Sequence, residues 1–351
     1  MNRKSTKLPP EALYSSDLQW LPQARAGDAS AFDRLVAPYR RRLHTHCYRM
    51  LGSPHDADDA LQETLLAAWR SIGSFEGRSA FGTWLHQIST HACLRLISRR
   101  SRRLMSPDHG PAFDTTADLG QMVGGPVWLE PLPDDEAPWH GVAHEDPAEG
   151  LARRESVTLA FIAALQHLPG TQRAVLLLRN VLEYSAAETA DMLGTTVSSV
   201  NSALQRAQKT MKSKLPAVSQ ATELRSLGEE DLDHLLGAFV TAWESRNIDD
   251  LVRLFTEDVR FTMPPLPAWF DGLVFVQKFI AERVFATPWR LVPMWANGQA
   301  GFACYMLAEG DDVFRLGAIL LLNLRAGRIA GLHSFLDPVL HRRFGLAEAM
   351  D

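Results

Sequence analysis

The sequence predicts a multidomain chain: two all-α modules, the second built around a helix-turn-helix, followed by an α+β domain. Three observations lead there. Apolar residues recur at helical spacing on both sides of residues 104–152, a segment with seven prolines and no such periodicity. Charge is segregated along the chain, at +7 over residues 1–103, −10 over 104–152, +4 over 153–216 and −6 over 217–351. From Val259 onward the pattern changes to strand-like runs separated by turn residues.

Composition narrows the function classes. With 351 residues, 46% hydrophobic and 22% charged, the chain reads as soluble, with room for two or three domains. No apolar run reaches the roughly 18 residues of a membrane span, so no membrane role is expected. The opening MNRKSTKLPPEALYSS is polar and basic, unlike a secretory signal. The three cysteines, Cys47, Cys93 and Cys304, are odd in number and far apart in sequence, which favours reduced thiols and a cytoplasmic location. His44, His46 and Cys47 sit close together without a fourth ligand at zinc spacing, so packing explains them and no metal or cofactor is expected. Two separated basic blocks suit two contacts on one polyanion.

In the first module, AFDRLVAPYRRRLHTHCYRML places Phe32, Leu35, Val36, Tyr39, Leu43 and Cys47 on one stripe, with Pro38 marking a kink or a new helix start. SPHDADDALQETLLAAWRSI follows, with Leu61, Leu65, Leu66 and Trp69 read as its apolar face and Asp58, Asp59, Gln62 and Glu63 as its polar edge. The polar loop GSFEGRSAFG leads into TWLHQISTHACLRLISRRSRR. That helix ends in Arg95, Arg99, Arg100, Arg102 and Arg103, more charge than its dipole needs. Trp84 belongs to the core by its spacing with Ile88 and Leu94.

Residues 104–152 read as an acidic linker, within which PVWLEPLPDDEAPW sets Trp128 and Trp139 among acids; such a patch is expected to dock. Two helices, 157–168 and 171–181, meet at Pro169-Gly170. Ser185 and Glu188 have capping-box spacing, Gly194 suits a helix end, and a basic helix runs from about Val197 to Leu215. That is a helix-turn-helix. The last part reads as two helices in LDHLLGAFVTAWESRNIDDLVRLFTEDVRF, then a strand with Val259, Phe261 and Met263 on one face, the loop MPPLPAWFDG, a helix over 273–285, and strands at 289–296, 300–308, 314–325 and 328–336.

DADDALQETLLAAW, FEGRSAFGTWLHQIS and the arginine-rich helix together resemble region 2 of the extracytoplasmic-function (ECF) sigma-70 factors. LPGTQRAVLLLRNVLEYSAAETADMLGTTVSSVNSALQRAQ resembles their region 4, and PVWLEPLPD, FTMPPLPAW and DPVLHRRFGL are similar to the subgroup with a fused SnoaL-like domain of NTF2-like fold. The resemblance implies sigma region 2 over 17–103, the linker over 104–152, sigma region 4 over 153–216 and a regulatory cone domain over 225–351. It implies a bacterial, cytoplasmic, non-enzymatic initiation factor that works with promoter DNA and with core RNA polymerase through the β′ clamp and β flap.

By the same resemblance Asp58, Asp59, Leu61, Gln62, Glu63 and Leu65 bind core polymerase. Phe75, Arg78, Ser79, His91, Arg95, Arg99 and Arg100 serve the −10 element. Thr90-His91 departs from the family's usual Asn at that step, which puts −10 specificity in question there. Ser199, Asn201, Ser202, Gln205, Arg206 and Lys209 serve the −35 element, where Asn201, Ala203 and Gln208 replace arginines common in the family. Met263, Trp269, Phe270, Trp295, Tyr305 and His333 are candidates to line a small-molecule pocket in the cone. Asp258, Asp271 and His333 are its acid–base candidates, joined by no motif. Two rivals follow from other classes: a two-domain regulator that binds duplex DNA alone, and a small-molecule-binding or isomerase-like enzyme domain attached to a DNA-binding regulator.

Overall fold

A computed structural model describes residues 17–137 and 154–350. The described residues form two compact units: one takes the chain to Arg100 together with Pro169–Gln208, the other takes Ser101–Leu168 and Lys209 onward. Trp139 and the first 16 residues lie outside the described residues.

In the first unit, helices α1 (Leu21–Arg25), α2 (Ala29–Val36), α3 (Arg40–Leu51), α4 (Pro54–Ser71) and α5 (Phe81–Arg99) follow one another. Asp28 caps α2 by accepting from Ser30 N and Ala31 N, and Ser53 caps α4 by accepting from Asp56 N. Pro38 lies in a 3₁₀ turn that splits α2 from α3. The predicted stripe is buried: Phe32, Leu35, Val36, Tyr39 and Leu43 share one core, with Trp84 and Ile88 packed against it. On α4 Leu61, Leu65 and Trp69 of the expected apolar face pack half-buried against the margin of this core, and Leu66 departs from it. Ala57, Ala60, Thr64 and Ala68 are the fully buried residues, while Leu66 is 49% exposed. Small side chains let α4 approach its neighbours closely, so the bulky leucines rotate to the margin.

Pro169–Gln208 adds α7 (Gly170–Leu176), which continues as a π-turn to Val181, then α8 (Ala186–Met192) and most of α9 (Val197–Lys214). Ser185 and Glu188 make the capping box in both directions. Gly194 turns the chain at φ +60°, which disfavours a side chain, and Thr196 then accepts from Ser199 N to open α9.

The second unit is α+β. Before its sheet come α6 (Leu159–Gln166), α10 (Gln220–Leu227), α11 (Glu229–Glu244) and α12 (Ile248–Arg253). The strands are β1 (Phe255–Thr262), β2 (Trp269–Asp271), β3 (Trp289–Ala296), β4 (Gln299–Met306), β5 (Phe314–Arg325), β6 (Arg328–Phe335) and β7 (Ala349–Met350). Their order is β2-β1-β6-β5-β4-β3, with β7 pairing one end of β5; β1 and β6 run parallel and the other pairs antiparallel. Helices α13 (Leu273–Phe279) and α14 (Pro338–Arg343) complete the unit. The segment read as a loop contains β2, because Trp269–Asp271 pairs with Arg260–Thr262. One sheet face and its helices share a core of Phe239, Trp243, Val259, Phe261, Met263, Phe270, Phe279 and Phe302, among others.

The described part of the acidic segment is a strap built into this unit. Leu104 bridges Trp128, Phe113 N donates to Trp269 O, Val123 N to Pro265 O, and Pro133 bridges Ala296. Trp128 is 6% exposed and donates from Nε1 to Val123 O at 2.7 Å within the segment itself, while Leu132, Pro133 and Asp134 of the same patch pair with the β3–β4 turn. Arg103 belongs to the strap and not to a DNA-facing helix end: it is buried and donates to Trp128 O at 2.9 Å and Glu130 Oε1 at 2.6 Å. Trp128→Ala should lower the stability of this unit by about 3 kcal/mol, as loss of a buried indole does elsewhere, and should open the strap to protease. Denaturant unfolding with mapped limited proteolysis measures both.

Candidate functional site

The polar edge of α4 faces outward, but its carboxylates are tied to bases on α3 and α5. Asp58 Oδ1 lies 3.0 Å from His44 Nε2. Arg100 bonds buried Asp56 and reaches exposed Asp59 at 3.2 Å, while Arg95 lies 3.7 Å from Glu63. Gln62 is exposed, and Leu61 and Leu65 are half-buried beside these acids. Residues assigned to two different partners thus form one alternating surface of acids and arginines. Exposed pairs of this kind contribute little stability and exchange readily for other partners.

The loop at 73–80 is exposed except for Phe75. Phe75 is 6% exposed, with its ring 5.4 Å from Phe81 and 5.1 Å from Trp84. It anchors the loop from inside, packed against Phe81 and Trp84. Arg78 and Ser79 are exposed, Arg78 pairing with Glu76 at 2.8 Å. On α5, Arg95 and Arg99 are exposed, whereas His91 is half-buried and its Nε2 lies 2.8 Å from Met192 O. Gln87 reaches the same carbonyl at 3.5 Å.

Beneath that contact lies a buried polar chain that the sequence did not announce. Thr90 Oγ1 donates to His86 O at 2.7 Å and accepts from His46 Nε2 at 2.9 Å. His86 Nδ1 donates to Gly82 O at 2.9 Å, with the Tyr184 hydroxyl 3.2 Å away. Burial above all, with Arg49 near both and Arg42 near His86, lowers the pKa of both histidines; His86 falls from 6.5 to about 4 although its bond to Gly82 O opposes the shift.

Helix α9 divides cleanly. Val200, Ala203, Ala207 and Met211 are buried, with Val200 and Ala203 in a small core with Val175 and Ala190. Ser199, Asn201, Ser202, Gln205, Arg206 and Lys209 are all exposed. Polar, hydrogen-bonding side chains on one exposed face of the second helix of a helix-turn-helix suit the edges and phosphates of a DNA groove.

The six pocket candidates are not brought to one wall. Met263 and Phe270 are in the aromatic core, Phe270 stacking on Phe279 at 4.5 Å. Trp269 is buried, donates from Nε1 to Gly110 O at 2.9 Å, and lies under Arg260. His333 Nδ1 lies 2.9 Å from Thr262 Oγ1, and burial with Arg260 lowers its pKa to about 4. Tyr305 is buried outside that core, and Trp295 is 44% exposed on β3. The Asp258 pKa is lowered to about 2, chiefly by the hydrogen bond from Arg325, and Asp271 pairs with Arg260 at 2.8 Å. The acid–base candidates are thus engaged by arginines or a threonine. Among the described residues no helix is long and apolar enough to cross a membrane.

Comparisons with known proteins agree with the two helical modules. A sigma-70 region 2 model matches residues 35–103 and a sigma-70 region 4 model matches residues 158–211. The chain is 41% identical over 333 residues to the ECF RNA polymerase sigma factor SigG of Mycobacterium tuberculosis, covering 93% of this chain and 86% of that one. It is 26% identical over 195 residues to SigW of Bacillus subtilis, covering 56% and 94%. The crystal structure of the extracytoplasmic function sigma factor SigJ of M. tuberculosis has the same fold, with a TM-score of 0.55 over 88% of this chain and 98% of that chain at 19% identity.

The buried histidines predict a pH profile for the first unit. Below pH 6.5 the unfolded chain protonates His86 while the folded one stays neutral down to about pH 4. The stability this group contributes is therefore complete above 6.5 and is lost as pH falls toward 4, by up to about 3 kcal/mol. Unfolding curves across this range should show the loss, and His86→Gln should flatten it.

Proposed function

The chain belongs to the extracytoplasmic-function family of RNA polymerase sigma factors, and from that premise we propose how its surfaces divide the work of initiation. The outward row from Ser199 to Lys209 on α9 carries the reading. It offers six polar or basic side chains to a groove while the opposite face of the helix is buried. Asn201, Ser202, Gln205 and Arg206 serve as base readers, and Ser199 and Lys209 hold phosphate. On the first module Asp58, Asp59, Gln62 and Glu63, flanked by Leu61 and Leu65, dock the β′ clamp of core polymerase. Arg78, Ser79, His91, Arg95, Arg99 and Arg100 follow the opened −10 strand.

Opening a duplex costs stacking and pairing, and cations along the exposed strand offset that cost. In this scheme polymerase and DNA compete for partners that now bind one another. Clamp residues that engage Asp59 and Glu63 release Arg95 and free one arm of Arg100, whose other arm stays on Asp56, for phosphate. The region 4 module meets the β flap. The C-terminal domain regulates and does not catalyse, a reading supported by the pairing of Asp258 and Asp271 with arginines.

Charge reversal at both Asp59 and Glu63 should abolish holoenzyme assembly, read by co-purification with core polymerase; undiminished binding would remove the clamp assignment. Reconstituted holoenzyme with mapped transcript starts supplies the promoter elements. On those templates Arg206→Ala should relax preference at one −35 position by about tenfold, a loss of 1–3 kcal/mol per base contact, whereas Lys209→Ala should weaken all sequences alike and flatten the salt dependence.

A further inference from the structure

The module that carries α9 is fastened to α5, the helix assigned to the −10 strand. Gly170 opens α7 so close to α5 that a Cβ there would lie 3.2 Å from Leu94 and 3.3 Å from Ile97. Buried Arg173 donates from Nη1 to Met50 O near the end of α3, and the Tyr184 hydroxyl lies 3.2 Å from His86 Nδ1. A further contact is made at Met192, the last residue of α8. A helix ends in carbonyls that have no partner within the helix. The turn of the motif meets three of them itself: Leu193 N donates to Thr189 O at 3.1 Å, Thr195 N to Ala190 O at 2.9 Å and Gly194 N to Asp191 O at 3.1 Å. Met192 O instead accepts from α5, from His91 Nε2 at 2.8 Å and more weakly from Gln87 Nε2 at 3.5 Å.

This docking is incompatible with reading both promoter elements at once. The −10 candidates Arg95 and Arg99 and the −35 row from Ser199 to Arg206 lie in one compact unit. A unit of about 125 residues has a radius of gyration of about 14 Å and is about 35 Å across. The two elements are named for positions about 25 base pairs apart, roughly 85 Å along a duplex at about 3.4 Å per pair. A body of that width cannot touch both. The helix-turn-helix must therefore leave α5 when initiation begins, and the bond from His91 to Met192 O breaks as it does.

We propose that His91 is a latch: its bond to Met192 O holds the free protein closed, with the −35-reading module docked on α5, and core polymerase opens it by engaging both modules. The proposal rests on the sigma reading above and adds a closed resting state to it. It also gives a use to His91, which stands where the family usually has Asn. Free energy that closes the protein is subtracted from its affinity for polymerase, so weakening the latch tightens binding by the same factor.

The test uses full-length protein and core polymerase without DNA, which keeps any contact of His91 with the −10 strand out of the measurement. His91→Ala should tighten the apparent Kd for core polymerase about fivefold, the factor equivalent to one net hydrogen bond. Gln87→Ala, which weakens the same contact, should act in the same direction. His91→Gln keeps a donor at similar reach and should bind as the wild type does. Unfolding curves check that each variant keeps its fold. The native cysteines are buried, so spin labels on exposed Gln23→Cys and Asp191→Cys report the separation of the modules. Pulsed dipolar spectroscopy should give a distance of about 40 Å or less in the free protein, the width of one unit plus the labels, and a longer one once core polymerase is added. Unchanged or weaker core binding by His91→Ala would overturn the proposal, as would equal tightening by His91→Gln or a long distance in the free wild type. If the wild type does not bind core polymerase at all, the sigma reading falls and takes the latch with it, a result plainly different from equal binding by every variant.

Discussion

The second unit depends on a strand that is apolar on both faces. From Ala318 to Leu322 every residue of β5 is buried, so the sheet cannot leave one side to water as antiparallel sheets commonly do. Ala318, Leu320 and Leu322 join the core made with the domain's own helices. Ile319 and Leu321 lie at the alternate positions, fully buried, and that side needs a cover from elsewhere in the chain. Leu132 of the strap and Val157 and Leu159 before region 4 are buried too, and these three bond the sheet at the β3–β4 turn. Even the close approach of neighbouring strands is tuned to this. A Cβ on Gly301 would fall 2.4 Å from Leu320 O, so only glycine lets β4 lie as near to β5 as it does.

The first unit solves a different problem with charge. Its acids and arginines are neighbours in space, from α4 and α5, so the +7 of the N-terminal block is partly masked where the two helices meet. Arg78 and Arg99 stay at the surface away from that meeting, and the basic character of α9 lies on a separate exposed face. Thr90 is bonded both as donor and as acceptor, whereas His46 and His86 are each satisfied on one side only, leaving His46 Nδ1 and His86 Nε2 without partners. A neutral imidazole tolerates this far better than a charged one, which is why burial governs their protonation.

Much of this was legible in the sequence. The α2–α3 stripe, the capping box at Ser185, the turn at Gly194, the strand boundaries and the outward row on α9 all follow from local rules of spacing and capping, and those rules suffice where structure is set by nearest neighbours. Leu66 and Phe75 show where they stop sufficing. Whether a leucine or an alanine faces the core depends on how closely the next helix approaches, and whether a loop phenylalanine turns in or out depends on ring partners several residues away. Asn297 and Gln299 were invisible for a further reason. The Asn-Gly pair announces a hairpin turn, but nothing local states that its side chain bonds to residues 140 and 165 positions distant. The pocket candidates are divided for a similar reason, since residues on alternate strand positions diverge to opposite faces.

The strap has a consequence for genetics. A truncation after residue 216 is the natural way to ask what the C-terminal domain does, yet it would also strip Leu132, Val157 and Leu159 of the amides that bond them. The truncated protein would carry an apolar, hydrogen-bond-hungry belt through its middle, and its phenotype would report aggregation as readily as lost control. For the same reason the gene is not a cassette of separable exons-in-miniature: recombination that swapped the last third alone would have to carry the strap with it. Substitutions confined to the turn are the cleaner instrument, and inheritance of strap and sheet as one unit is the pattern this architecture imposes on its lineage.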